Sequence, residues 1–264
     1  MEVATQPLLE VEDLCVVIGR TPILHGAELT LEAGQLVAVV GPNGAGKSTL
    51  VRAAAGLQRR SSGTVRWSGS DVRKLRRRQL ARMRAFVPQR GRVPDGISVR
   101  DAVLVGRSPH VAALARPTRA DHAAVEQAIE RSGVAAFAER RLPTLSGGEL
   151  QRVQIAVALA QQAPVLMADE PTAHLDLGAT VVIARLLRGL ADDGLGVVLV
   201  AHDLALAAAI ADRVVVVSRG RTVAAGRAEE VLHGERLAEV WAVDAELRRD
   251  SDGRAGLSVA WLQK

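Results

Sequence analysis

The sequence predicts an α/β fold with a mostly parallel sheet, because short apolar runs suited to buried strands alternate with helical patterns. The first run, residues 36–40, reads Leu-Val-Ala-Val-Val without a polar side chain. Such runs are typical of strands that are buried on both faces of a parallel sheet. Three similar runs follow at residues 165–168, 197–201 and 214–217. We expect crossover helices between these strands.

The remaining segments predict three further parts of a single domain. Residues 8–17, 29–31 and 64–67 have the pattern of short strands and predict an N-terminal antiparallel β region. From about residue 91 to 162 no run suits a buried strand, which predicts an inserted helical subdomain. We therefore divide the chain into a core (1–90 and 161–225), a helical subdomain (91–160) and a C-terminal appendage (226–264). In the appendage, residues 228–240 predict a helix and residues 257–262 a short strand.

Composition predicts a cytoplasmic protein with one substantial core or two smaller lobes. The chain has 264 residues, of which 48% are hydrophobic, enough to bury a sizeable interior. Its lone cysteine, Cys15, cannot form an internal disulfide, and the N-terminus has no secretory pattern. Each apolar run is shorter than the roughly 20 residues that a membrane helix needs. We expect that the chain does not span a bilayer.

The net charge of +5 raises the question of a polyanionic partner. Much of the excess lies in one run: Arg73, Lys74, Arg76, Arg77, Arg78, Arg82 and Arg84. The chain has no Tyr, two Phe and three Trp, so it has few rings on which bases could stack. We therefore expect no nucleic-acid partner. A solvated basic helix and a contact with a polyanion or anionic lipid both remain open.

A glycine-rich loop follows the first buried strand and matches the pattern of phosphate-binding loops. Its glycines permit a tight turn whose N–H groups form a nest for phosphate oxygens. Lys47 adds a positive charge at the β and γ phosphates, and the Ser48 hydroxyl can hold Mg²⁺. The helix predicted over residues 47–55 directs its positive end at the same anion. The loop comprises Gly41, Pro42, Asn43, Gly44, Ala45, Gly46, Lys47, Ser48 and Thr49.

Two adjacent acids end the next buried run, where ligands bind in open α/β sheets. Asp169 is placed to hold Mg²⁺, and Glu170 to polarise an attacking water. Together with the phosphate loop, this pair predicts a nucleoside triphosphate hydrolase. The fold is then a phosphate-loop hydrolase core with an antiparallel β region and an inserted helical subdomain.

The sequence Leu-Ser-Gly-Gly-Glu at residues 145–149 resembles the signature of the ATP-binding-cassette (ABC) family. Ser146 is suited to cap a helix that runs to about Gln162. Other family elements occur in the expected order, so the resemblance covers nearly the whole chain. Gln89 resembles the glutamine that senses Mg²⁺ and the transport partner, Asp176 the acid that reaches across a dimer interface, and His202 the histidine that contacts the γ phosphate.

The resemblance implies an ATPase that uses ATP and Mg²⁺ as a homodimer. Glu170, His202, Gln89 and Lys47 would serve hydrolysis, and Ser48, Gln89 and Asp169 would hold the metal. Each nucleotide would lie between the phosphate loop of one copy and Ser146, Gly147 and Gly148 of the other. The dimer would energise a membrane permease from the cytoplasmic face of the inner membrane, with a substrate-binding protein outside.

Residues 101–110 resemble a segment of importer ATPases for ferric siderophores, haem and cobalamin, so we expect a metal-chelate importer. This segment contains His110, but no second ligand lies at metal-binding spacing. The chain departs from the family at Ile18, near which an aromatic residue usually stacks on adenine, and at Ala173, where Ser is commoner. An exporter ATPase and a soluble ATPase of DNA repair or iron–sulfur assembly remain alternatives, as does a nucleotide-binding regulator without turnover, which Glu170 disfavours.

Overall fold

The computed structural model describes residues 6–89, 96–112, 114–251 and 255–260. The strands of this part are β1 (Leu9–Ile18), β2 (Thr21–Leu31), β3 (Leu36–Val40), β4 (Ser62–Trp67), β5 (Ser70–Asp71), β6 (Arg84–Val87), β7 (Val165–Asp169), β8 (Gly196–Val200), β9 (Arg213–Ser218), β10 (Arg221–Gly226), β11 (Ala245–Arg249) and β12 (Ala255–Val259). The helices are α1 (Lys47–Ala54), α2 (Arg77–Met83), α3 (Val99–Val105), α4 (Arg119–Arg131), α5 (Gly147–Ala160), α6 (Leu177–Asp192), α7 (Leu204–Ile210), α8 (Ala228–Val231) and α9 (Gly234–Trp241).

The central sheet has six strands in the order β10-β9-β3-β8-β7-β6. All neighbours are parallel except β10, which pairs with β9 antiparallel. Every residue of β3, β7 and β8 is buried, as are residues 214–217 of β9, which confirms the four predicted strands and their double-sided burial. The fold class is confirmed as well.

Strand β6 was missed because it is short and begins with an arginine. Arg84 starts this strand, and its Nε donates to the carbonyl oxygen of Ala55 at 2.7 Å. The basic run is therefore not one solvated helix, as one of the two open interpretations had it. Its helical part, α2, has only seven residues and ends at Met83.

A second, antiparallel sheet covers one face of the central sheet. Its order is β2-β1-β4-β5, and residues 29–31 are the end of a strand that begins at Thr21. Because side chains alternate along a strand, Val37 and Val39 of β3 pack toward this sheet and α1. Leu36, Ala38 and Val40 pack toward α6 and α7 on the opposite face.

Helices α3, α4 and α5 form a separate cluster with its own apolar core, which includes Val103, Ile129 and Val153. Helix α5 spans almost the range predicted from Ser146 to Gln162. The proposed boundary between residues 90 and 91 lies outside the described residues.

The C-terminal segment has more structure than the sequence predicted. The helical pattern over residues 228–240 forms two helices, α8 and α9. The predicted strand at 257–262 is observed as Ala255–Val259, paired with a strand that was not predicted, Ala245–Arg249. Residues 261 and 262 lie outside the described part. Within that part, no helix is long and apolar enough to cross a membrane.

A buried arginine that follows α3 connects α4 to the end of the long helix α5. Arg107 is 5% exposed. Its Nε donates to Asp121 Oδ1 at 2.9 Å, and its Nη1 donates to the carbonyl oxygen of Ala160 at 2.7 Å. Asp121 also accepts from the backbone N–H and hydroxyl of Thr118. These bonds lower the pKa of Asp121 to about 2, those from Thr118 contributing most.

Arg107→Met should destabilise the protein by about 3 kcal/mol, because it leaves the Asp121 carboxylate buried without its cation. A carboxyl group whose pKa is lowered on folding stabilises the folded state at pH values above its unfolded pKa of about 3.9. That contribution is lost as pH falls toward 2, so pH 7 tests it in full. Urea unfolding is the measurement, and Arg100→Met is the control, since Arg100 makes exposed pairs with Glu126 and Glu139. Equal destabilisation by the two variants would contradict this role.

Candidate functional site

The loop between β3 and α1 has a backbone that only glycine can adopt at two positions. Gly41 has φ +152°, and a Cβ there would lie 2.0 Å from the carbonyl oxygen of Val217. Gly46 has φ +104°, and its Cβ would lie 2.7 Å from Leu24 Cδ2. Helix α1 begins immediately afterwards at Lys47, so its free N–H groups point into the loop.

This loop borders a cavity of about 290 Å³. A cavity edged by helix N–H groups and one lysine suits a polyphosphate. The residues that line it are Ile23, Asn43, Gly44, Ala45, Gly46, Lys47, Ser48, Thr49, Glu170 and His202.

Lys47 is the buried cation of the site, with 4% of its surface exposed. Its Nζ donates to the carbonyl oxygens of Gly41 at 2.8 Å and Pro42 at 3.1 Å. Burial lowers the pKa of Lys47, while the charges of Glu170 and Asp169 oppose that shift. Two carboxylates thus lie near one ammonium group.

Ser48 and Asp169 connect the loop to the end of β7. The Ser48 hydroxyl donates to Asp169 Oδ1 at 2.7 Å. Burial raises the pKa of Asp169, and this hydrogen bond opposes the rise. A hydroxyl and a carboxylate are hard oxygen donors of the kind that Mg²⁺ prefers. The donor set therefore fits the metal that the sequence predicted here.

Glu170 lies between two other predicted site residues, Gln89 and His202. Its Oε2 accepts a hydrogen bond from Gln89 Nε2, and its Oε1 lies 2.5 Å from His202 Nε2. The backbone of Glu170 is left-handed, with φ +53°, which is uncommon for a residue with a side chain. Its N–H donates to Val200 O, and its carbonyl accepts from Ala173 N. Such strain persists where the surroundings hold it, and it clusters at functional sites.

The signature residues form a helix start that is separate from the cavity. The Ser146 hydroxyl accepts from the Glu149 N–H, and Glu149 Oε2 accepts from the Ser146 N–H at 2.8 Å. This reciprocal pair is a capping box. A Cβ on Gly148 would lie 2.9 Å from Ala179 Cβ, so α5 and α6 meet closely there. None of residues 146–148 is among the described residues that line the cavity.

Asp176 is likewise not brought to the cavity of its own chain. Its Oδ1 accepts from the Ala179 N–H at 2.7 Å and so caps α6. Because both α5 and α6 begin at this point, Asp176 and the signature residues belong to one surface. Within a single chain this surface does not line the cavity at the phosphate loop.

One lining residue, Ile23, was not predicted. It belongs to the part of β2 that the sequence left unassigned, and no motif marks it.

Val17 and Ile18 at the end of β1 are 43% and 47% exposed and supply no ring for a base. The side chain of His110 lies 2.9 Å from the carbonyl oxygen of Gln161. No group of three potential metal ligands occurs among the described residues.

Comparison with known proteins matches this chain to one protein family. A family model described as "ABC transporter" matches residues 24–173. A hemin import ATP-binding protein of Rhodococcus jostii is 40% identical, covering 90% of this chain and 81% of that one. A cobalamin import ATP-binding protein of Halobacterium salinarum is 44% identical over 94% of this chain and 62% of its own. An iron(3+)-hydroxamate import ATP-binding protein of Bacillus subtilis is 34% identical over 92% of this chain and 90% of its own.

Solved structures give the same result for the fold. A chain from an inward-facing metal-chelate type ABC transporter superposes with a TM-score of 0.83 at 27% identity, and 98% of each chain is covered. A bacterial ABC transporter cassette with a dimeric structure has a TM-score of 0.73 at 25% identity, over 83% of this chain and 98% of that one.

Lys47→Ala should weaken ATP binding roughly 10- to 100-fold, because it removes a charged hydrogen-bond donor from the phosphate cavity. Lys74→Ala is the matched control, since Lys74 is exposed and lies outside the cavity. Calorimetric titration with ATP measures both affinities. Unchanged binding by folded Lys47→Ala protein would contradict the assignment of this cavity to the triphosphate.

Proposed function

The chain belongs to the ABC transporter family, and from that premise we propose that it is the ATPase subunit of a metal-chelate importer. It binds ATP with Mg²⁺, acts as a homodimer and drives a membrane permease from the cytoplasmic face of the inner membrane. The observation that carries this proposal is the convergence of Gln89 and His202 on Glu170 beside the phosphate loop. An acid held in this way, next to a triphosphate cavity, suits hydrolysis rather than binding alone.

The phosphate loop and Lys47 hold the triphosphate of ATP. The backbone N–H groups of residues 46–49, which line the cavity, supply donors, and Lys47 balances the negative charge of the β and γ phosphates. Ser48 and Asp169, which are joined by a hydrogen bond, would hold Mg²⁺. Gln89, the third predicted metal residue, donates instead to the adjacent Glu170. When bound, the metal neutralises charge on the β and γ phosphates. Asp169 must be ionised for this role; burial raises its pKa, and the hydrogen bond from the Ser48 hydroxyl opposes that rise.

Glu170 orients and polarises the water that attacks the γ phosphate. Its two carboxylate oxygens have different partners, Gln89 on one side and His202 on the other. These contacts fix the side chain, and the left-handed backbone at Glu170 directs it toward the cavity that it lines. His202 lines the same cavity and contacts the γ phosphate. As the family resemblance implies, Gln89 would sense both Mg²⁺ and the permease.

A second copy completes the site. Ser146, Gly147 and Gly148 offer a helix N-terminus whose N–H groups suit a phosphate, yet they do not line the cavity of their own chain. We infer that they close over the nucleotide of the partner copy, in a head-to-tail dimer. Asp176, which caps the neighbouring helix start, contributes to the same interface. ATP can then do work because closed and open dimers bind it differently.

Glu170→Gln should leave ATP binding intact and slow hydrolysis on the order of 10²- to 10⁴-fold, because the amide cannot accept the proton of the attacking water. The same variant should accumulate as an ATP-bound dimer. Phosphate release and light scattering measure the two effects. Glu246→Gln, on the exposed hairpin strand β11, is the control. Turnover equal to wild type in Glu170→Gln would remove this residue from the mechanism.

Mixing two inactive variants tests the shared site. Lys47→Ala disables the phosphate loop, and Ser146→Arg blocks the signature surface. In a heterodimer one of the two sites combines the intact phosphate loop of the Ser146→Arg copy with the intact signature of the Lys47→Ala copy. We therefore expect part of the ATPase activity to return. Each variant alone is the control. A folded heterodimer with no activity would count against head-to-tail pairing.

The proposed cargo is a ferric siderophore, haem or cobalamin. The hemin, cobalamin and iron(3+)-hydroxamate import proteins reported above support this class. We propose that residues 106–110 lie beside the permease, held by the Arg107 contacts. A substrate-binding protein outside the membrane would deliver the cargo.

Deletion of the gene in its host should reduce uptake of at least one of these three chelates. Wild-type protein should restore uptake and Lys47→Ala should not. A deletion that leaves uptake of all three unchanged would contradict the cargo class. If the purified protein still hydrolyses ATP and copurifies with a permease, the ATPase proposal would stand and another cargo, or export, would replace this one.

A further inference from the structure

Positive charge is concentrated in about one fifth of the chain. Residues 33–89 contain twelve lysines and arginines and a single acid, Asp71, although the whole chain has a net charge of only +5. The rest of the chain is therefore net acidic. Such asymmetry creates a local potential that attracts anions to one side of a protein.

Several of these basic residues are neutralised or occupied within the chain. Arg60 and Arg73 both pair with Asp71, at 3.3 Å and 2.6 Å, and these contacts hold the pKa of Asp71 well below its usual value. Arg66 pairs with Glu10 and Glu12.

Five cations at and just before α2 remain without a carboxylate partner among the described residues. We call Lys74, Arg76, Arg77, Arg78 and Arg82 the basic patch. All five are exposed. The patch surrounds the one buried residue of α2, Leu80, which anchors the helix to the core.

Two members of the patch are held in place by neutral acceptors. Arg78 Nε donates to the carbonyl oxygen of Pro109 at 2.8 Å, and its Nη2 donates to that of His110 at 3.1 Å. Arg82 Nε also donates to Pro109 O, at 3.0 Å. Carbonyl groups orient the guanidinium groups without cancelling their charge. The patch therefore borders the segment 106–110, at a fixed position.

We propose that the basic patch binds the anionic headgroups of the cytoplasmic leaflet. This inference rests on the proposed function, which puts segment 106–110 beside the permease and hence the patch near the bilayer. Phosphate headgroups suit arginine, whose planar group bonds two oxygens at once. Leu57 adds an exposed apolar side chain, at 52%, next to Gly56, which packs on Leu80. Nucleic acid is a poorer match, because the patch contains no aromatic residue for stacking.

Binding to lipid vesicles tests the patch without a permease. The purified protein is sedimented with vesicles of phosphatidylcholine alone and of phosphatidylcholine mixed with phosphatidylglycerol. Each basic residue near an anionic surface strengthens binding about 5-fold. The triple variant Lys74→Gln, Arg76→Gln, Arg77→Gln should therefore bind the anionic vesicles on the order of 100-fold more weakly. It keeps Arg78 and Arg82, which hold segment 106–110.

The matched control removes the same charge elsewhere. Arg141→Gln, Arg185→Gln and Arg221→Gln are combined, since these residues are exposed and lie outside the patch. We expect this variant to bind nearly as wild type does, and high salt to release the wild-type protein. Equal loss in both triple variants would show an effect of net charge alone and overturn the proposal.

Failure of the wild-type protein to bind anionic vesicles at low salt would also overturn the proposal, and would favour an acidic segment of the permease as the partner. That result would leave the ATPase proposal untouched, because ATP hydrolysis and ATP-dependent dimerisation are measured on the same protein without lipid.

Discussion

The hydrogen bond from Ser48 to Asp169 is the contact on which the site depends, because it joins two elements that are distant in the sequence. Ser48 lies in the first turn of α1, after β3, and Asp169 ends β7, which is two strands from β3 in the sheet. Parallel strands bring their carboxyl ends to one edge. The phosphate loop and the acids meet because this sheet is parallel and buried on both faces.

Charge balance follows from that convergence. Asp169 and Glu170 are both at least nine-tenths buried, with Lys47 as the nearby buried cation. Burial raises the pKa of Asp169 and lowers that of Lys47, and the Ser48 hydrogen bond and the nearby carboxylates respectively oppose these shifts. A triphosphate and a divalent cation bring further charges of both signs.

Sequence patterns predicted the parts of the fold that follow a simple rule. The run at residues 36–40, the loop that ends in Lys47 and the cap at Ser146 each depend on local spacing, so all three were found. Strand β6 was missed because it is short and begins with Arg84, whose guanidinium donates to the Ala55 carbonyl, a contact that only the fold creates. The contacts of Glu170 with Gln89 and His202, and its left-handed backbone, depend on three separate strand ends. Ile23 has no signal, because any aliphatic residue could line that wall.

The effect of Mg²⁺ on ATP affinity tests the central claim most directly. Calorimetric titrations of ATP are compared with and without Mg²⁺, for the wild-type protein and for Asp169→Asn. If Ser48 and Asp169 form the metal site, Mg²⁺ should strengthen ATP binding to the wild-type protein and should have little effect on the variant. An equal gain from Mg²⁺ in both proteins would contradict the account.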